Sequence, residues 1–198
     1  MTHEGIGEDD GPAQWPVELR GVTETVVTTL GPNDLWNVAA LGVHAGDPAT
    51  ATTWGRTRTW RNFTERGGGY VQFTPDPVDF AEAAMTVREE DDPVLSSADA
   101  WAEVEVERRD SGEEGDTQWV EWTLEPVDSA VERERPATIN RGYYAVIEAT
   151  VAASRLGVTA YDQAALRERL EYFGTVVEKC GGERDREAMG VVREQAEW

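Results

Sequence analysis

Residues 101–127 place the strongest constraint on the fold. From Trp101 to Arg108, Ala102, Val104 and Val106 stand opposite Trp101, Glu103, Glu105 and Glu107. From Gln118 to Val127, Val120, Trp122 and Leu124 stand opposite Trp119, Glu121, Thr123 and Glu125. Period-two alternation sends successive side chains to opposite faces, so both stretches read as half-buried strands of an antiparallel sheet. The segment 109–117, polar and with two glycines, reads as the hairpin connection.

The same reasoning extends along the chain. Val17–Leu30 is rich in Val and Thr and reads as a strand, closed by the turn cluster Gly31-Pro32-Asn33-Asp34. Trp36–His44, Ala49–Trp54 and Tyr70–Thr74 read as further strands, and Thr57–Glu65 as a short helix ended by Gly67-Gly68-Gly69. Asp76-Pro77 is a helix start: an Asp cap, Pro at the first helical position, then Phe80, Ala83, Ala84 and Val87 at helical spacing. Residues 89–99 read as an acidic loop. Beyond residue 130 the spacing turns helical. Tyr143, Val146, Ile147, Thr150, Val151 and Ser154 form one stripe, and helices over about 161–180 and 183–196 follow, divided by Gly181-Gly182. Strands first and helices last give an α+β fold: a small antiparallel barrel over 16–130 and a helical portion over 131–198, with residues 1–15 as an acidic tail.

The charge narrows the function. The 198 residues carry 39 acids against 18 bases, a formal charge of −21. Seventeen of the bases are Arg, and the acids are spread along the chain. Such a field disfavours nucleic acid, whose phosphates need Lys and Arg, and anionic membrane surfaces. A dispersed acidic excess fits a halophilic cytoplasm, because the Debye length at molar salt is about 3 Å and self-repulsion nearly vanishes. No apolar run is long enough to span a bilayer and no secretory leader is evident, so the chain reads as cytoplasmic. Val, Leu, Ile and Phe supply only about 19% of residues, so the eight Trp and five Tyr must carry much of the core.

One segment breaks the acidic pattern. Pro48–Thr64 is the longest stretch without Asp or Glu, and it holds Arg56, Arg58 and Arg61 among Thr53, Thr57, Thr59 and Asn62. Arg forks and Thr hydroxyls at a strand-to-helix transition suit one phosphate group. The competing reading is that these Arg pair with surface acids. Trp36, Trp54 and Trp60 lie close by as stacking candidates or as core. No glycine fingerprint for a dinucleotide or a P-loop is present. The two histidines and the single Cys180 make no metal site or activated thiol, so redox chemistry would have to come from a cofactor. The catalytic residues stay unassigned.

Several motifs together resemble a known family. Glu24-Thr25-Val26-Val27-Thr28-Thr29 with Asn37-Val38-Ala39-Ala40-Leu41-Gly42-Val43, then Thr59-Trp60-Arg61-Asn62-Phe63, Gln72 to Phe80, and Asn140-Arg141-Gly142-Tyr143 through Ser154-Arg155-Leu156 are similar, in order, to the archaeal domain of unknown function 447 family. Ala40 and Leu41 stand where that pattern has Pro and Met, Gln72 replaces an Asn and Ser154 a Thr. The resemblance implies an FMN-binding split β-barrel related to flavin reductases, six-stranded and homodimeric, with FMN near the dimer interface. Carried over, Thr57, Arg58, Thr59, Arg61 and Asn62 would hold the phosphate, and Thr28, Thr29, Asn37, Val38, Ala39 and Ala40 would line the flavin ring. The functions left open are a flavin reductase-like oxidoreductase with a nicotinamide donor, a flavin or deazaflavin carrier without catalysis, and a dimeric interaction protein with an empty pocket. The dimer is expected to use exposed barrel edges and the broad apolar face of helix 139–156.

Overall fold

The computed structural model describes residues 13–196 and 198. Most of the expected tail, residues 1–12, lies outside the described residues. Trp15, at its end, is packed edge-on against Phe73 with ring centroids 6.4 Å apart.

The element order is β1 (Val22–Leu30), β2 (Trp36–His44), β3 (Ala49–Trp54), α1 (Arg58–Arg66), β4 (Gly68–Phe73), α2 (Pro77–Met85), β5 (Arg88–Glu90), β6 (Ala100–Glu114), β7 (Thr117–Val131), α3 (Arg141–Ala153), α4 (Gln163–Cys180) and α5 (Glu183–Ala196). All strand pairings are antiparallel, in the order β1-β4-β6-β7-β3-β2, and a β1–β2 ladder closes these six strands into a barrel. The short β5 adds to β2 outside the closed ring, pairing Asn37 with Glu89. Closure satisfies edges that an open sheet would leave bare, so little strand edge remains for a partner.

Inside the barrel lies an apolar core of Val27, Leu41, Val43, Phe63, Val71 and Trp122 with their neighbours. The inward residues of the alternating strands are the ones expected: Ala102, Val104, Val106, Val120, Trp122 and Leu124 are all buried. Helix α1 plugs one end. Thr57 caps it by accepting from the Trp60 N–H, and Gly67 ends it at φ 74°, a left-handed conformation that side chains resist. The chain then turns into β4, where a Cβ on Gly69 would fall 2.5 Å from the Thr28 carbonyl oxygen.

A second core joins α2 to the C-terminal helices through Val78, Ala81, Val146, Ala149, Leu170 and Met189. A third, of Val26, Val38, Phe80, Ala83 and Leu95, seals α2 against the outer wall of β1 and β2. Arg88 on β5 clamps α2 in place, pairing with Asp79 at 2.5 Å and Glu82 at 3.1 Å. Helix α3 is therefore sandwiched. Its Tyr143 and Ile147 pack towards the barrel, while Ala145, Ala149 and Ala152 meet the other helices. Small side chains let those helices approach closely. The apolar face expected to receive a partner is thus occupied by the chain itself.

The structure departs from the sequence reading in three further places. The first strand starts at Val22 rather than Val17. The hairpin strands run on through most of 109–117, leaving the turn at Gly115-Asp116. The 89–99 loop begins as a strand, β5. Among the described residues no helix is long and apolar enough to cross a membrane.

Candidate functional site

A cavity of about 580 Å³ opens between the outer wall of β2 and β3, the N-terminus of α1, and the helices α2 and α3. That volume is in the range of small-molecule and cofactor sites. Strand pleating decides which residues reach it. On β2, Val38, Ala40 and Gly42 face outward, away from the inward Leu41 and Val43. Phe80, Ala83 and Val87 form an apolar wall around the end of α2, and Thr150, Val151 and Ser154 project from α3.

One end of the cavity carries a cation and the start of a helix. Thr57, Arg58 and Thr59 line it at the start of α1. The Thr57 hydroxyl accepts from the Trp60 N–H at 3.2 Å, and the Thr57 carbonyl accepts from the Arg61 N–H at 3.1 Å. The N–H groups of Arg58 and Thr59 have no acceptor within the helix, the usual condition of a first turn. No acidic residue occupies that turn, in a chain with 39 acids. Helix dipole, free N–H groups and a guanidinium converge there. Arg58 is the only basic side chain among the described residues lining the cavity. Its guanidinium meets Glu89 of β5 at 2.6 Å.

Seven of the eleven sequence-derived site residues line this cavity: Asn37, Val38, Ala39, Ala40, Thr57, Arg58 and Thr59. The other four sit behind it. Thr28 is buried on the outer face of β1, where its hydroxyl donates to the Pro93 carbonyl and accepts from Gln72 Nε2 at 3.0 Å. Gln72 also binds the Pro93 carbonyl at 2.9 Å and the Leu95 N–H at 2.7 Å, so this pair pins the 91–99 loop. Thr29 and Asn62 are buried together: Asn62 Nδ2 donates to the Thr29 hydroxyl at 3.0 Å and to its carbonyl at 3.2 Å. Arg61 donates from Nε and Nη2 to Asn62 Oδ1, both at 3.2 Å. Arg61, Asn62 and Thr29 are thus a relay that ties α1 to β1.

Of the three tryptophans considered for stacking, Trp54 lines the cavity and is 50% exposed. Trp36 packs edge-on against Tyr70. Trp60 rests against the barrel core with the Arg56 guanidinium 5.9 Å from its ring. The sequence reading did not single out Glu24, Thr52, Thr86, Thr150 or Val151, which also line the cavity. Glu24 titrates above the ordinary carboxyl range: burial raises it, Glu148 adds to the rise, and His44 opposes it. Only its place on the same strand face as Val26 could have marked it. For Thr150 and Val151 the helical stripe was visible, but not which face met the barrel. Among the described residues no cluster of three or more His, Cys, Asp or Glu could hold a metal.

Comparison with known proteins places this geometry. The model of the protein of unknown function (DUF447) N-terminal domain matches residues 23–133, and the companion DUF447 model matches residues 140–194. The chain belongs to the DUF447 family. The crystal structure of an FMN-bound family protein from Methanosarcina mazei overlays with a TM-score of 0.74 at 22% identity, covering 89% of this chain and 96% of that one. The fold is therefore the split barrel with a C-terminal helical bundle. Weaker overlaps reach a flavoredoxin from Methanosarcina acetivorans (TM-score 0.41, 12% identity, 68% and 78% covered) and the styrene monooxygenase flavin reductase of Pseudomonas putida S12 (0.41, 15%, 61% and 95%).

Proposed function

We propose that this DUF447 member is an FMN-binding flavoprotein of the flavin reductase type. The observation that carries the reading is the coincidence, at one end of a cavity of about 580 Å³, of Arg58, the only cation among the described residues lining it, with an acid-free helix N-terminus. In a protein of charge −21 a dianionic phosphate needs such a local exception. The residues fit the group. The N–H groups of Arg58 and Thr59, the Thr57 hydroxyl and the Arg58 guanidinium would hold the phosphate. Val38, Ala40, Ala83 and Val87 offer apolar walls to the ring, and Trp54 a face at the rim. The Arg61–Asn62–Thr29 relay, buried at Asn62 and Thr29, would keep α1 aimed at the site. When bound, FMN supplies two-electron transfer; the described residues lining the cavity include neither His nor Cys.

Two finer statements belong to the same proposal. A second copy of the chain would cover the cavity mouth, where exposed Trp54 stands in register with Trp119 of the neighbouring strand. A nicotinamide would be the electron donor. The test is direct. Ligand released by heat and identified by mass spectrometry should be FMN, and refolded chain should take up one FMN per protomer. Absence of any flavin binding refutes the reading. Tight FMN binding without NADH or NADPH oxidation would leave a carrier. Light scattering in molar salt should give twice 21.9 kDa.

A further inference from the structure

The cavity is polar in the electrical sense, and its second end has a chemistry of its own. Strand β2 runs through it from Asn37 to Gly42, six residues whose five steps span about 17 Å of extended chain. Asn37 pairs with Glu89, the partner of Arg58, so that end is the cationic one. Gly42 pairs across the β1–β2 ladder with Glu24. Glu24 is the one carboxylate among the described residues lining the cavity, as Arg58 is the one cation.

The α3 hydroxyls that share the cavity with Glu24 are acceptors. A Cβ on Gly42 would fall 3.0 Å from Val22 Cγ1 and 4.0 Å from Glu24 Oε2, so the missing side chain leaves the carboxylate standing over bare strand. From α3, the Thr150 hydroxyl donates to the Ile147 carbonyl at 2.7 Å and the Ser154 hydroxyl to the Val151 carbonyl at 3.1 Å. Their protons are used within the helix, and only lone pairs remain to face a ligand. The charged and titratable groups around Glu24 are Glu148 and Tyr143 on α3 and His44 on β2. This end of the cavity resists added negative charge.

Resting on the flavin reading, we propose that Glu24 is a positioning residue for the ring's electronics: with the phosphate anchored at Arg58, the ring lies along β2 towards Gly42, and the Glu24 carboxylate lowers its reduction potential. The physical reason is charge balance. At neutral pH, two-electron reduction of a flavin ring takes up two electrons and one proton and leaves the ring one unit more negative. A fixed carboxylate beside the ring opposes that change. Because Glu24 is solvent-exposed at the rim, screening keeps the effect moderate.

The experiment measures the two-electron potential of bound FMN by dithionite titration against a reference dye, in mildly alkaline buffer at fixed salt. The proteins are the wild type, Glu24→Gln and Glu24→Asp, each checked for folding by circular dichroism. The amide should raise the potential by about 15–30 mV, a three- to tenfold gain in preference for the reduced ring. Glu24→Asp keeps the charge and should stay near the wild type. In the wild type, acid removes the same charge, so the gap in potential between Glu24→Gln and the wild type should close as pH falls through the Glu24 titration. A Glu24→Gln protein that binds FMN with unmoved potential overturns the proposal. Equal shifts in both variants, or a gap between Glu24→Gln and the wild type that stays constant into acid, do the same. A wild type that binds no flavin overturns the functional reading and this inference with it.

Discussion

Arg58 is the residue on which FMN affinity should turn. Its guanidinium lines the cavity at the start of α1, 43% exposed, and it pairs with Glu89 at 2.6 Å. Replacing it by Gln keeps most of the side-chain length and removes the charge. A hydrogen bond to a charged group contributes about 1.5–3 kcal/mol, so FMN should bind roughly ten- to a hundredfold more weakly. The fold should scarcely notice, since a solvent-accessible ion pair contributes about 0–1 kcal/mol. Riboflavin, which lacks the phosphate, should bind both proteins equally. Arg61 provides the contrast. It lies outside the cavity lining and spends its donors on Asn62 Oδ1, so Arg61→Ala should change FMN affinity less than threefold, well inside the factor of ten that about 1.4 kcal/mol produces. Fluorescence-quenching titrations with FMN and riboflavin at fixed high salt decide the matter. Equal losses for the two ligands in Arg58→Gln, or a larger FMN loss in Arg61→Ala, would refute the placement of the phosphate at the head of α1.

Asn62→Ala should be costly to stability instead, by about 2–3 kcal/mol, because it leaves the buried Thr29 groups and Arg61 without their partner; thermal unfolding at fixed salt measures it, and an unchanged Tm would dismiss the relay. Glu24 holds its proton longer in the folded than in the unfolded chain, so its contribution to stability falls as pH rises past the ordinary carboxyl value. Glu24→Gln should therefore be slightly more stable than the wild type at neutral pH and lose that advantage in acid; the reverse order in paired melts would contradict the partial desolvation of this group. Dialysis from molar to millimolar KCl should loosen the fold as screening fails for a charge of −21, and circular dichroism unchanged across that range would speak against a halophilic design.

The barrel was legible wherever one face of a strand was apolar and the other charged. Ala102, Val104 and Val106 had only one side on which to be buried. Helix α2 announced itself through Asp76 and Pro77, whose cap bonds to the N–H groups of Val78 and Asp79 are local. The hairpin beyond Arg108 was not legible. Residues 109–117 are polar on both faces, and they hold strand geometry only because each arm pairs with the other across the register shift between Arg108 and Asp110. Strand β5 is three charged residues whose ladder partner, Trp36–Val38, lies some fifty positions earlier.

For the candidate site the division is similar. The sequence alone determined that one short segment, Pro48–Thr64, is free of acids, and that a helix starts inside it; charge and capping are properties of near neighbours. Tertiary structure decided which of its residues line the cavity. Three Arg in six positions look alike as text, yet the turn of α1 aims Arg58 at the cavity and leaves Arg61 on Asn62. It also decided that Glu24, Thr150 and Ser154 face the same space, from a strand and a helix more than a hundred residues apart. Local sequence fixes periodicity and caps through contacts within a few residues. Convergence on a cavity depends on closure of the barrel and on docking of α2 and α3 against it, and those are set by burial of surfaces distant in the chain.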